Sequence, residues 1–164
     1  MNKQKEHLYI IPKDDADRQI AIGFIEHYAV DGLRVQVMPP AGGWSNVLGL
    51  FTDEYAPLLS NNHRSYVVLL IDFDGHVNDR KVKFEGEIPA GLKPRVFVVG
   101  SKHTPEELKK SMKKKFDEIG ELLADDCDLG TTTYWDHDQL EHNAAERERL
   151  ILSVRPFLFK STKS

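Results

Sequence analysis

Two aspartates one residue apart, in Asp72-Phe73-Asp74-Gly75-His76, follow directly on the most apolar run of the chain, residues 66–71. An extended segment repeats its side-chain direction every two residues, so both carboxylates face one side, their α-carbons about 6.6 Å apart. Carboxylates that close repel one another unless a cation lies between them. Mg²⁺ or Mn²⁺ takes oxygen ligands, and Mg²⁺ keeps several waters, so Asp72 and Asp74 with one further acid suffice as protein ligands. The same string, with Gly75 at its end, also makes a good turn.

The further acid comes from Asp14, Asp15 and Asp17, which follow the apolar run 8–11. Asp14 or Asp15 would complete the site and orient the attacking or leaving oxygen. All three acids equally suit the capped start of a helix. A third segment, Ser101-Lys102-His103, follows the run 95–100. Lys102, His103 and Lys13 are its candidate phosphate contacts, and His76 and His103 could also shuttle protons.

The elements that must position these residues alternate. Strands are expected at 8–11, 34–38, 66–71 and 95–100, the third apolar throughout, as a strand covered on both faces requires. Helices are expected at 14–29, where Ile20, Ala21, Phe24, Ile25 and Tyr28 recur at helical spacing, and from Trp44 through Tyr55. Thr104-Pro105-Glu106-Glu107 has the form of a capping box with proline at the first helical position, opening a helix to about Lys115. Further helices are expected at 119–124 and 136–154, with 77–92 irregular and 156–159 closing the chain as a strand or packed tail. The pattern predicts one domain over 1–164, an α/β fold with three α/β/α layers, a mainly parallel sheet and right-handed crossovers. Ligands of such sheets sit beyond the carboxyl ends of the strands, where the three polar segments fall.

An acid after the first strand and Asp-x-Asp after the third resembles the Toprim fold of topoisomerases, bacterial-type primases and OLD-family nucleases. The resemblance covers residues 7–104 and leaves 105–164 as a helical extension. It implies Mg²⁺-dependent chemistry at phosphodiester bonds of DNA or RNA. The family's glutamate after the first strand is missing. Aligning Asp17 with the family's later aspartate puts Lys13 at the glutamate position. A non-catalytic Toprim-like module docking on a partner such as an ATPase, or a homo-oligomer, is therefore the alternative expectation. Ile71-Asp72-Phe73-Asp74-Gly75 also resembles the nucleophile motif of haloacid-dehalogenase-type phosphohydrolases, with Asp72 as nucleophile and Asp74 as acid/base.

Composition narrows the classes. With 22 basic and 26 acidic residues the net charge is −4, which argues against a nucleic-acid footprint over the whole surface. A local basic run remains at Lys109, Lys110 and 113–115. The single cysteine, Cys127, excludes a disulfide framework and fits a reducing cytoplasm. Beside Asp125, Asp126 and Asp128 it makes a poor nucleophile. No apolar run approaches 18 residues, so no membrane span is expected. Gly42-Gly43-Trp44-Ser45 opens a helix without the lysine of a P-loop and reads as a turn. His137 and His142 lie roughly 140° apart on the expected helix and would not share a metal.

Overall fold

The two most apolar runs become the two central strands. In a computed structural model that describes residues 5–160, β1 (His7–Pro12) pairs in parallel with β3 (Ser65–Leu70) over its full length. The shorter β2 (Val35–Val37) and β4 (Val96–Val99) flank them, giving a parallel sheet in the order β2-β1-β3-β4. Alternation along the strands sorts side chains into two cores. Leu8, Ile10, Val68, Phe97 and Val99 face one helical layer; Ile11, Val67, Leu69, Ile71, Val96 and Val98 face the other. Apolar burial on both faces is the reason these strands read as continuous runs rather than alternating ones.

The first layer holds α1 (Asp15–Ile25), α5 (Pro105–Met112), α6 (Phe116–Leu129) and α7 (Ala144–Leu158). The second holds α2 (Trp44–Leu50), which runs through a π-helical turn at Phe51–Tyr55 into α3 (Ala56–Asn61), and α4 (Val77–Glu87). The fold is thus the expected three-layer α/β/α arrangement, and the helices after residue 104 complete its first layer. Thr104 caps α5 as its sequence implies, its hydroxyl accepting from the Glu107 N–H. The closest helix contact joins α1 to α6 through two glycines. A Cβ on Gly120 would lie 1.9 Å from the Ile20 carbonyl oxygen, and one on Gly23 2.0 Å from that of Asp117.

Besides shifted helix ends, such as the continuation past Tyr55 to Asn61, three elements differ from the sequence expectation. Residues 77–92 are not irregular: α4 occupies most of them, followed by a 3₁₀ segment at Ala90–Arg95. Phe84 is the one residue of α4 that is buried, so the helix has no apolar stripe to betray it. The last helix begins at Ala144 rather than at 136: residues 131–135 are tied to buried Asp126, and the stretch from His137 to Asn143 closes as turns, with the Leu140 and Glu141 amides both on the His137 carbonyl. The Asp126 carboxylate accepts from the Thr131 hydroxyl and from the Tyr134 and Trp135 amides. At its other end α7 continues through Pro156 to Leu158, and Phe159 forms an antiparallel bridge with Val30.

The stretch 146–149, with its alternating charge, does more than face solvent. Glu146 accepts from the Val98 N–H at 2.8 Å, and Arg149 donates to the Val96 carbonyl at 2.8 Å. Asn143 both accepts from and donates to the backbone of Gly100. These side chains cover the open edge of β4, where a further strand would otherwise pair.

Candidate functional site

The chain leaves β1 for β2 on one side and returns to β3 on the other. The carboxyl ends of β1 and β3 therefore flank the topological switch point, where open α/β sheets bind their ligands. Backbone bonds fix the segment after β1. The Lys13 N–H donates to the Leu70 carbonyl, and the Lys13 carbonyl accepts from Gly42 and Gly43 at 2.8 and 3.2 Å. Those two glycine amides are committed to the chain itself, in keeping with a turn.

Asp14 is the N-cap of α1, its Oδ1 accepting from the Asp17 N–H at 3.0 Å. Asp17 lies one turn before Ile20 and Ala21 on the buried face of α1 and is only 1% exposed. Its Oδ2 has no hydrogen-bond partner among the described residues. Asp72 continues the face of Val68 and Leu70 beyond β3 and is also buried. One carboxylate oxygen from each of Asp14, Asp17 and Asp72 lies within 4.8 Å of the others. Lys13 reaches into this group, its Nζ 3.0 Å from Asp14 Oδ2 and 2.8 Å from Asp72 Oδ1.

The electrostatics follow from burial and crowding. Burial, then the charges of Asp14 and Asp72, push Asp17 well above the usual carboxylate range, against the pull of Lys13. Burial also raises Asp72, opposed by its contact with Lys13. Burial disfavours the Lys13 ammonium, yet Asp72 and Asp14 together hold its pKa above the ordinary lysine value.

Three carboxylates that each bring an oxygen within 4.8 Å of the others could hold a metal ion, and oxygen donors suit a hard cation. With Asp17 ionised as well, which a bound cation would favour, three carboxylates and one ammonium leave two negative charges, matching one divalent ion. Asp17 has an oxygen with no hydrogen-bond partner among the described residues, so it is free to be one of the donors.

Other candidates from the sequence lie around this cluster rather than in it. Asp15 is exposed and bonds to Arg18 and Gln19, on the outer side of α1. Asp74 has a left-handed backbone (φ 50°), as does Gly75 (φ 79°), so the two-residue alternation stops at Phe73. Its carboxylate pairs with Arg80 at 3.3 Å. Arg80 also donates to the Asp72 carbonyl and lies 4.4 Å over the Trp44 ring, tying the turn to the second layer. Lys102 is exposed, while His103 packs beside Gly75 and bonds to Gln139. His76 precedes α4 as an exposed cap residue. His137 bonds to Ser111 and His142 to the Gly100 carbonyl, at separate places. Burial pushes the Cys127 thiol up to about 11, with Asp126 a lesser cause.

Asp17 was not among the residues assigned a site role from the sequence, although it stood with the acids after the first strand and aligned with the later aspartate of the Toprim pattern. Its signal was present: positions 17, 20, 21 and 24 share one face of a 3.6-residue helix. Arg80 carried no such signal, since it acts through a turn whose shape the sequence left open.

No protein-family model matches this chain, and no curated protein matches its sequence. Fold and cluster define an α/β/α domain with a parallel sheet and a carboxylate triad at its switch point. Among the described residues, no helix is long and apolar enough to cross a membrane.

Proposed function

We propose that this is a Toprim-like domain that binds Mg²⁺ or Mn²⁺ at Asp14, Asp17 and Asp72 and cleaves phosphodiester bonds, in DNA or RNA. The convergence of three carboxylates at the switch point, one with a buried unpartnered oxygen, carries the reading. A bound divalent ion would polarise a phosphate oxygen and acidify a coordinated water. The three aspartates hold the cation from two elements whose spacing the β1–β3 ladder sets. Lys13 balances part of their charge and lies near enough to meet a phosphate oxygen. In hydrolysis a water oxygen bonds to phosphorus, the ester P–O bond breaks, and the departing oxygen takes a proton. The exposed lysines of α5 and the segment after it, 109–110 and 113–115, offer a surface for further backbone phosphates.

One observation favours a second reading, a metal-free module that docks on a partner such as an ATPase. The Lys13 ammonium already bridges Asp14 and Asp72, as a cation would. Hydrolysis of bis(p-nitrophenyl) phosphate and of single-stranded DNA, with Mn²⁺, separates the two. The enzyme reading expects Mn²⁺-dependent turnover that falls about 100-fold or more in Asp72→Asn. Turnover absent with both substrates, or unchanged in that variant, would leave the docking module.

A further inference from the structure

His103 ends the segment after β4, and its ring lies beside the turn that carries Asp72. Its Cδ2 and Nε2 are 3.4 and 3.6 Å from the point where a side chain on Gly75 would begin. Backbone bonds join the two segments, Asp74 N–H to the His103 carbonyl at 3.1 Å and Gly75 N–H to the Lys102 carbonyl at 2.8 Å. The imidazole is therefore registered to the turn.

Its other edge meets Gln139. The side-chain oxygen of Gln139 accepts from the His103 backbone N–H at 3.0 Å. A backbone N–H only donates, which settles which end of the amide is oxygen. The amide nitrogen, 3.0 Å from His103 Nδ1, then donates to it, while the oxygen lies farther off at 3.3 Å. Nδ1 is thus an acceptor, and the neutral ring carries its proton on Nε2. Gln139 is itself fixed, since its carbonyl accepts from the Lys102 N–H at 2.7 Å and its N–H donates to His137 Nδ1 at 3.0 Å. Among the described residues Nε2 has no hydrogen-bond partner.

We propose that Gln139 is a positioning residue that holds His103 as an Nε2–H donor to a phosphate oxygen at the turn after β3. The ligand's identity rests on the phosphodiester reading; the tautomer does not. Long-range ¹H–¹⁵N spectra of the full chain at alkaline pH read the tautomer directly. The wild type is expected in the Nε2–H form. Gln139→Glu, whose carboxylate only accepts, is expected to convert the ring to the Nδ1–H form, and Gln139→Ala to give a mixture. Inorganic phosphate is expected to shift the His103 Nε2 signal, with about tenfold more phosphate needed in Gln139→Glu, one lost hydrogen bond's worth of affinity. An Nδ1–H ring in the wild type, or an unchanged pattern in Gln139→Glu, overturns the positioning role. A signal that phosphate leaves unmoved overturns the ligand. None of these spectra needs a metal, so a failure of cation binding counts against the enzyme reading alone.

Discussion

Lys13 is the residue on which the electrostatics of the cluster turn. Among the described residues it is the only cation paired with the carboxylates of Asp14 and Asp72, and Asp72 is buried. Removing one partner of a buried pair leaves the other charge uncompensated, which costs more than the pair contributes. Lys13→Gln should therefore lose roughly 3 kcal/mol of stability in chelator, the lower end for a broken buried pair because the lysine is partly exposed. Mg²⁺ should restore most of that loss, and the variant should bind the ion more tightly than wild type. Denaturant unfolding with and without Mg²⁺ checks both; a variant as stable as wild type in chelator would mean that Lys13 does not hold the cluster. At this scale the sequence was partly legible. Asp72 and Asp14 stood out by type and by place after a strand. Asp74 stands apart from the cluster because alternation holds only while the backbone stays extended, and the chain becomes left-handed there.

At the level of elements, strands were easier to read than helices. Strands buried on both faces leave unbroken apolar runs, whereas α4 buries only Phe84 and the residues before α7 are held in turns, the first of them by Asp126. Neither effect is local to the residues concerned. The packing of α1 on α6 carries the Asp14–Asp17 turn, and Gly23 and Gly120 permit its closeness. A methyl group at position 120 would meet backbone atoms of Ile20 and Phe24, which cannot rotate away. Gly120→Ala should destabilise the fold by about 3 kcal/mol, at the upper end of overpacking costs. It should also weaken metal binding, because α1 carries Asp17. Thermal unfolding together with an Mg²⁺ titration tests this, and a neutral substitution would show that the helices are not so close.

The whole molecule joins two cores on one sheet, with its edge at β4 closed by side chains of α7 and the turn before it. That closure includes His142, which donates from Nε2 to the Gly100 carbonyl and packs edge-on against Phe73. Burial lowers its pKa from 6.5 to about 4, and that of His7 likewise. Both rings are thus neutral in the folded state where unfolded histidine is already protonated. Their contribution to stability is complete above pH 6.5 and is lost as the pH falls towards 4. The melting temperature should decline across that window, and less steeply in His142→Gln, which separates this residue from other groups titrating there. Equal slopes would assign the acid sensitivity elsewhere. The class of fold was legible from the alternation of strands and helices. The closure of β4 was not, since the alternating charges of residues 146–149 look like an ordinary helix surface until their strand partner is placed beside them.

In the proposed function the cation is held by Asp14, Asp17 and Asp72, while Asp74 turns away towards Arg80. Calorimetric titration of Mg²⁺ into wild type, Asp17→Asn and Asp74→Asn tests that assignment. Saturable binding that disappears in Asp17→Asn and stays within a few-fold of wild type in Asp74→Asn is the predicted result. Binding lost in Asp74→Asn but kept in Asp17→Asn, or no binding to the wild type at millimolar ion, would contradict it.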